Sequence, residues 1–170
     1  MKEVLMDRRN AKINIFVLLI FLLASAIVSE AKSWRGLTPL KSTRADVERL
    51  FGPPGEYKQY HFENEKVSIN YYEGGCNKVD DCRCLVPKDT ILSIFVTLEV
   101  EMRFSKLGLD RTKYKKALSP EDATVAVYTN YDEGIIYTVD EEHDDVMNIE
   151  YLPADKDCQN IIKCRAKVTQ

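Results

Sequence analysis

The sequence is poor in the residues and motifs through which most enzymes act. Its 170 residues include only two histidines. It contains no Gly-x-Ser-x-Gly elbow, phosphate-binding loop, His-Glu-x-x-His zinc motif or dinucleotide-binding fingerprint. It also lacks a Cys-x-x-Cys pair, which disfavours thiol–disulfide oxidoreductase chemistry. We therefore predict that the protein is not an enzyme and uses no cofactor.

Neither histidine lies in a setting that predicts catalysis. His61 lies in a predicted edge strand, where a surface histidine without a partnered base is the simplest interpretation. His143 lies in segment 140–145, whose other five residues are carboxylates. The candidates there for binding a hard cation are Asp140, Glu142 and Asp144. The spacing is not that of an EF-hand loop and no glycine forms the turn, so the pattern favours a solvated hairpin tip without a metal.

Long apolar runs are confined to the amino terminus. A run of 14 uncharged, mostly apolar residues extends from Ile15 to Val28, and Arg8, Arg9 and Lys12 precede it. The small residues Ser29 and Ala31 follow at the positions that a signal peptidase reads. The pattern predicts a Sec-type signal peptide over residues 1–31 and export to the periplasm, cell envelope or extracellular space. The run is shorter than the roughly 20 residues needed to cross a bilayer, and an uncleaved single-pass anchor is the alternative.

Charge of one sign does not dominate the remaining chain. Residues 32–170 hold 20 basic and 24 acidic side chains. A weakly acidic domain is a poor match for nucleic acid or for an anionic membrane surface. We therefore expect no nucleic-acid partner, and membrane contact only through residues 15–28 if they are not cleaved.

Cysteine is the residue type that points most directly to the environment of the protein. The five cysteines all follow the predicted signal peptide: Cys76, Cys82, Cys84, Cys158 and Cys164. Export makes disulfides the default expectation, and the odd count leaves one thiol free or available to a second molecule. A Cys158–Cys164 bridge, a bridge from Cys76 to Cys82 or Cys84, and a bridge from the tail to the central loop all remain open. The spacing does not match a zinc site.

One short helix is marked at both ends. Ser42 or Thr43 can cap its start, and with Thr43 as the cap Asp46 falls at the third helical position, a variant of the capping box. Gly52 can adopt the left-handed conformation that ends a helix, and two prolines follow. The apolar stripe consists of Val47, Leu50 and Phe51. A helix this short needs a sheet to pack on.

Alternating apolar residues after this helix predict strands. Residues 57–72 are typical of a hairpin, and residues 90–100 form the strongest predicted strand, central in a sheet. Residues 101–120 are a connector, in which a short helical turn after Asp110 would direct Tyr114 and Leu118 inward. Three strands in a meander follow, with inward positions at Val125 and Val127 in the first. The corresponding positions in the last are Met147, Ile149 and Tyr151.

These elements define an α+β domain over residues 32–155. We predict a single antiparallel sheet of about five to six strands, covered on one face by one or two short helices. Trp34 and Leu37, in the segment that leads into the helix, are expected to pack beneath it. Residues 156–170 are predicted to be a polar tail that contains two cysteines.

The helix carries a family resemblance. The pattern hydroxyl-x-x-Asp-Val-x-x-Leu-Phe-Gly-x-Pro over residues 42–54 resembles the SmpA/OmlA (BamE-like) family and its relatives with the β-lactamase-inhibitor-like fold. The matching residues are Thr43, Val47, Leu50, Phe51, Gly52 and Pro54. The resemblance implies a small bacterial extracytoplasmic protein with a helix that ends against a sheet. Envelope lipoproteins of the family carry a lipidated cysteine directly after the signal sequence, whereas the first cysteine here is Cys76.

Two functions from different classes follow. The first is a non-catalytic exported module that binds another envelope or extracellular protein through an open sheet face or the cysteine-rich loop. The alternative is a small secreted hydrolase that depends on carboxylates or on a cation held by segment 140–145.

Overall fold

The computed structural model describes residues 31–75 and 81–168, with the side chains of residues 57 and 163–168 left out. The predicted signal peptide lies outside this part except for Ala31. The described residues form one antiparallel sheet of seven strands and two α-helices, which confirms an α+β fold. No helix within the described ranges is long and apolar enough to span a membrane.

The sheet joins an amino-terminal hairpin to a carboxy-terminal meander. Its strands are β1 (Gln59–Phe62), β2 (Glu65–Tyr71), β3 (Ile91–Leu98), β4 (Lys115–Leu118), β5 (Val125–Asn130), β6 (Ile135–Asp140) and β7 (Asp145–Tyr151). Their spatial order is β1-β2-β3-β7-β6-β5-β4, with every neighbouring pair antiparallel. The predicted hairpin, the central strand and the three-strand meander are confirmed. The predicted count of five to six strands is wrong, because β4 lies in the segment assigned to the connector.

The first helix, α1 (Arg44–Phe51), begins at the predicted cap and ends at the predicted glycine. The Thr43 hydroxyl accepts a hydrogen bond from the Asp46 backbone N–H at 3.4 Å, and the Asp46 carboxylate accepts one from the Thr43 N–H at 2.9 Å. This reciprocal pair is a capping box, with aspartate in the usual place of glutamate. Gly52 ends the helix at φ 77° and ψ −172°, a positive-φ conformation that favours glycine but is not the left-handed helical one that the sequence predicts. Val47 is fully buried, whereas Leu50 is 48% exposed.

One face of the sheet is covered by non-sheet segments. Leu37 from the lead-in segment, Val47 from α1 and Phe104 from the connector pack on side chains of the strands in one hydrophobic core. Trp34 contacts the rings of Phe51 and Phe62, each at a centroid distance of 5.4 Å. The expectation that Trp34 and Leu37 pack in the core is confirmed. The strand residues of this core are Tyr60, Val67, Ile69, Ile91, Ile94, Val96, Ala126, Tyr128, Ile135, Tyr137, Val139, Val146 and Ile149.

The inward phase of two strands differs from the sequence prediction. In β5, Ala126 and Tyr128 are buried, not Val125 and Val127. In β7, Met147 is 42% exposed, because a register shift between Thr138 and Val139 of β6 displaces the alternation. The period-2 pattern gives the correct spacing, but it cannot locate a bulge.

The connector, residues 101–120, also differs in part from the sequence prediction. Asp110 caps a 3-10 turn over Arg111–Lys113, as expected, and Tyr114 is partly buried against the core. Leu118 is 56% exposed, so the expectation that it points inward is wrong. Every residue of β4 is exposed, and its two lysines suit an edge strand that must not pair with another chain.

The predicted tail forms a second helix, α2 (Asp155–Val168). The chain reaches it through a close contact with the β5–β6 turn, where the Leu152 N–H donates to the Gly134 carbonyl at 2.7 Å and the Asp155 N–H donates to the Tyr131 carbonyl at 3.1 Å. These bonds fix the start of α2 at one end of the sheet, on the side opposite the covered face.

Candidate functional site

A cavity lies on the sheet face opposite the core, between that face and α2. Its volume is about 800 Å³. The floor is formed by Asn70 of β2, Ser93 of β3 and Glu150 of β7. The strand register places them together, since Asn70 pairs with Ser93 and Glu150 pairs with Phe95, two residues further along β3. We call this cavity the cleft and the sheet face on which it lies the open face.

The floor residues are polar side chains that lie side by side. The Asn70 amide donates a hydrogen bond to the Ser93 hydroxyl at 2.9 Å. Ser93 is only 7% exposed, so its hydroxyl is held within the sheet. Burial raises the pKa of Glu150 above its ordinary value, and the neighbouring Ser93 side chain offsets part of that shift. Glu150 is therefore a half-buried acid beside two neutral polar side chains.

The walls of the cleft combine apolar and charged side chains. Ile162 of α2, Leu92 of β3 and Leu152 after β7 supply apolar surface. Arg83 also lines the cleft, but both its Nη2 and Nε donate to Asp81, at 2.8 and 3.0 Å. Asp155, at the first position of α2, adds another carboxylate.

A disulfide forms part of the wall and ties α2 to the body of the domain. Cys82 and Cys158 are bonded across a separation of 76 residues, so of the alternatives left open it is the bridge from tail to central loop that is present. A Cys158–Cys164 bridge and a Cys76–Cys82 bridge are both ruled out by this pairing. Cys84 is also disulfide-bonded, and its partner lies outside the described side chains, as do Cys76 and Cys164.

The carboxylates of the hairpin tip at 140–145 contact different groups within the domain and do not converge on one point. Asp140 accepts from the backbone N–H groups of Glu142 and His143, at 3.0 and 3.2 Å, and contacts the His143 ring at 2.8 Å. This pairing lowers the pKa of Asp140 and raises that of His143. Asp144 instead accepts from the Ser105 N–H in the connector. The described residues contain no group of three potential metal ligands, here or elsewhere.

His61 lies where the sequence predicts it, exposed on the edge strand β1 opposite Lys66 of β2. No charged partner among the described residues orients its ring for proton transfer.

A second cavity of about 370 Å³ lies beside α1. Arg44, which lines it, donates to Asp89 and to Glu73, each at 2.9 Å, and stacks over the Tyr71 ring at 4.0 Å. Its charge and its hydrogen bonds are thus already used to hold α1 to the loop that precedes β3. Because the charge of Arg44 is already paired, a ligand would gain less from binding in this cavity than in the cleft.

The residues of the cleft floor are not singled out by any sequence motif. Ser93 and Glu150 are polar residues of strands that alternate apolar and polar side chains, and such positions normally face solvent. Ser93 and Glu150 are 57 positions apart in the sequence. Only the pairing of β3 with β7, in which Glu150 lies opposite Phe95, brings them together, and no pattern within either strand indicates it.

The fold and the cleft define a small single-sheet α+β domain with a disulfide-bounded cavity on its open face. No family model matches the chain, and no curated protein matches it. A solved structure from Staphylococcus aureus subsp. aureus Mu50, described as a cysteine-rich secretory protein, is similar over 76% of this chain at 13% identity with a TM-score of 0.33. The chain spans about half the length of that protein, at 51%. Likeness at this level carries no argument about fold or function, and the BamE-like resemblance stays a prediction.

Proposed function

We propose that this protein is a non-catalytic exported module that binds another protein of the cell envelope or the extracellular space through its open face and cleft. The observation that carries the proposal is the asymmetry of the sheet. One face is buried under the lead-in segment, α1 and the connector, whereas the other holds a cavity of about 800 Å³.

The open face has the composition of a contact surface. Phe95 of β3, Val127 of β5 and Ile136 of β6 lie on it and are only half-buried, although β3 and β6 are inner strands of the sheet. Apolar side chains interspersed with threonine and asparagine are typical of the surfaces that proteins use for transient contacts. A disulfide-held helix at the border limits the entropy lost when a partner is bound.

Export supports the same proposal. The predicted signal peptide over residues 1–31 agrees with the Cys82–Cys158 disulfide, because such bonds persist in oxidising compartments and are rare in the cytosol. The hydrolase alternative keeps only its support from sequence, because no arrangement in the hairpin tip favours it.

Site-specific photo-crosslinking in the source organism tests the proposal. A photoreactive phenylalanine analogue replaces Phe95 or Ile136 on the open face, and matched controls carry it at Leu50 on α1 or Leu118 on β4, both exposed. We expect a discrete protein adduct from the two open-face positions and none from the controls. Adducts of equal yield from all four positions, or from the controls alone, would contradict the proposal.

A further inference from the structure

We propose that the cleft binds a basic side chain, lysine or arginine, presented by the protein partner, with Glu150 as its counter-ion. This inference rests on the proposed function, because it assigns the side chain to a protein partner. It begins from the charges that line the cleft. These are the carboxylates of Asp81, Glu150 and Asp155 and the guanidinium of Arg83.

Two of these carboxylates lack a cation. Asp81 and Arg83 form a bidentate pair and offset one another. Among the described side chains, which do not include those of residues 163–168, neither Glu150 nor Asp155 forms an ion pair. A half-buried carboxylate loses part of its hydration, and no charge compensates for the free energy lost. An incoming cation would offset that cost. An anionic ligand would meet two unpaired negative charges, so the cleft selects positive charge.

The apolar walls of the cleft determine which kind of cationic group fits it. Leu92, Leu152 and Ile162 give the cleft an apolar lining above the polar floor. A lysine or arginine side chain matches both parts, because its methylene stem packs on apolar surface while its head keeps polar contacts. A bare metal ion would need several oxygen ligands around one point, and the described residues contain no such group.

The floor would fix the position of the cationic head. Ser93 lies beside Glu150 in the cleft floor and is itself held by a hydrogen bond from Asn70, so the half-buried Glu150 carboxylate faces the cleft from a rigid part of the sheet. A charge-assisted hydrogen bond from an ammonium or guanidinium to that carboxylate is roughly twice as strong as a neutral one. The cavity of about 800 Å³ also accommodates the backbone that flanks the inserted side chain.

Titration of small probes into the intact exported protein tests the cleft directly. The probes are Nα-acetyl-arginine amide and Nα-acetyl-lysine amide, with Nα-acetyl-citrulline amide as the neutral isostere of arginine. Amide chemical shifts report where each probe binds. We expect saturable shifts around Ser93 and Glu150 for the two cationic probes, and affinity about tenfold weaker for citrulline.

Matched variants locate the counter-ion. Glu150→Gln should weaken the arginine probe about tenfold and leave the citrulline probe unchanged. Asp155→Asn serves as a second variant on the wall and should have a smaller effect of the same sign. Glu121→Gln removes the same charge from an exposed position outside the cleft and should change neither affinity. Equal binding of arginine and citrulline, or unchanged arginine affinity in Glu150→Gln, would overturn the inference.

Combining the variant with photo-crosslinking separates this inference from the proposed function. Adducts at Phe95 that form with full yield in Glu150→Gln overturn the inference and leave the proposed function standing. A loss of adducts in Glu150→Gln but not in Glu121→Gln supports both. If the probes bind and no protein adduct forms, the proposed function fails, and the assignment to a partner's side chain fails with it.

Discussion

At the scale of single residues, Gly134 occupies the most restrictive backbone position in the turn that leads to the cleft. Its φ is +63°, and a Cβ built there would lie 2.2 Å from the Leu152 carbonyl oxygen and 2.8 Å from the Ala154 nitrogen. Both neighbours are backbone atoms that cannot turn aside. The close approach of this turn to the β7–α2 junction therefore requires glycine.

Gly134→Ala is expected to lower the free energy of unfolding by about 3 kcal/mol or more, since it adds steric overlap to the cost of a left-handed alanine. The matched control is Gly108→Ala, at φ +65° with open space around it, for which about 1–2 kcal/mol is expected. Urea unfolding of both variants measures the difference. Equal destabilisation of the two would show that the contact with Leu152 is not formed.

The raised pKa of Glu150 predicts how the stability of the protein depends on pH. Burial raises its pKa in the folded state above the unfolded value, so the folded protein binds the proton more tightly. Its contribution to stability is then fully present below the unfolded pKa and is lost as the pH rises through the folded pKa. Many other carboxylates titrate in the same range with pKa values shifted the other way, Asp140 and Asp144 among them. The useful quantity is therefore the difference in the free energy of unfolding between wild type and Glu150→Gln at each pH.

We expect Glu150→Gln to gain stability relative to wild type as the pH rises from acid to neutral, with the sign following from desolvation of the wild-type carboxylate. Thermal unfolding of both proteins across that range measures it. A difference that is constant with pH would mean that Glu150 has the same pKa in both states.

At the scale of elements, α1 depends on its amino-terminal cap. Its eight residues are too few to be stable alone, and the capping box supplies donors and acceptors that the first turn lacks. Thr43→Ala is expected to cost about 1 kcal/mol of unfolding free energy, and Thr43→Ser, which keeps the hydroxyl, only a small fraction of that. Chemical denaturation gives both values. Equal losses for the two variants would assign the effect to the Thr43 methyl group instead of the cap.

How far the elements follow from sequence depends on how local their signals are. The boundaries of α1 and the meander turns were predictable, because Thr43, Asp46 and Gly134 act within a few residues of themselves. The exposed edge strand β4 has no buried face to produce alternation, and α2 depends on the distant Cys82 for part of its anchoring. These two elements were therefore missed.

The inward phase of β5 and β7 required information from other strands. In β5, a valine on each side of Ala126 makes the wrong face look more apolar, and the buried face is decided by the pairing of Tyr128 with Tyr137. The cleft was missed for the same reason. Asn70, Ser93 and Glu150 belong to three strands, and only the sheet order brings them together.

At the scale of the whole molecule, the Cys82–Cys158 disulfide joins the central loop to the last helix. Closing a loop over a separation of 76 residues contributes about 4.5 kcal/mol through the chain entropy of the unfolded state. The double variant Cys82→Ala/Cys158→Ala is expected to lose about that much stability in urea unfolding. It should also lose binding of the arginine probe, because the wall formed by α2 is released. An unchanged unfolding midpoint would show that α2 is held without the bond.

The account as a whole depends on α2 being fixed over the open face, and tryptic disulfide mapping of the non-reduced exported protein tests this most directly. Each of the five cysteines falls in a separate tryptic peptide, because Lys78, Arg83, Lys156 and Lys163 divide them. We predict a linked pair of residues 79–83 with residues 157–163, which contain Cys82 and Cys158. A linkage of residues 157–163 to residues 164–165, joining Cys158 to Cys164, would contradict the cleft and the functions proposed for it.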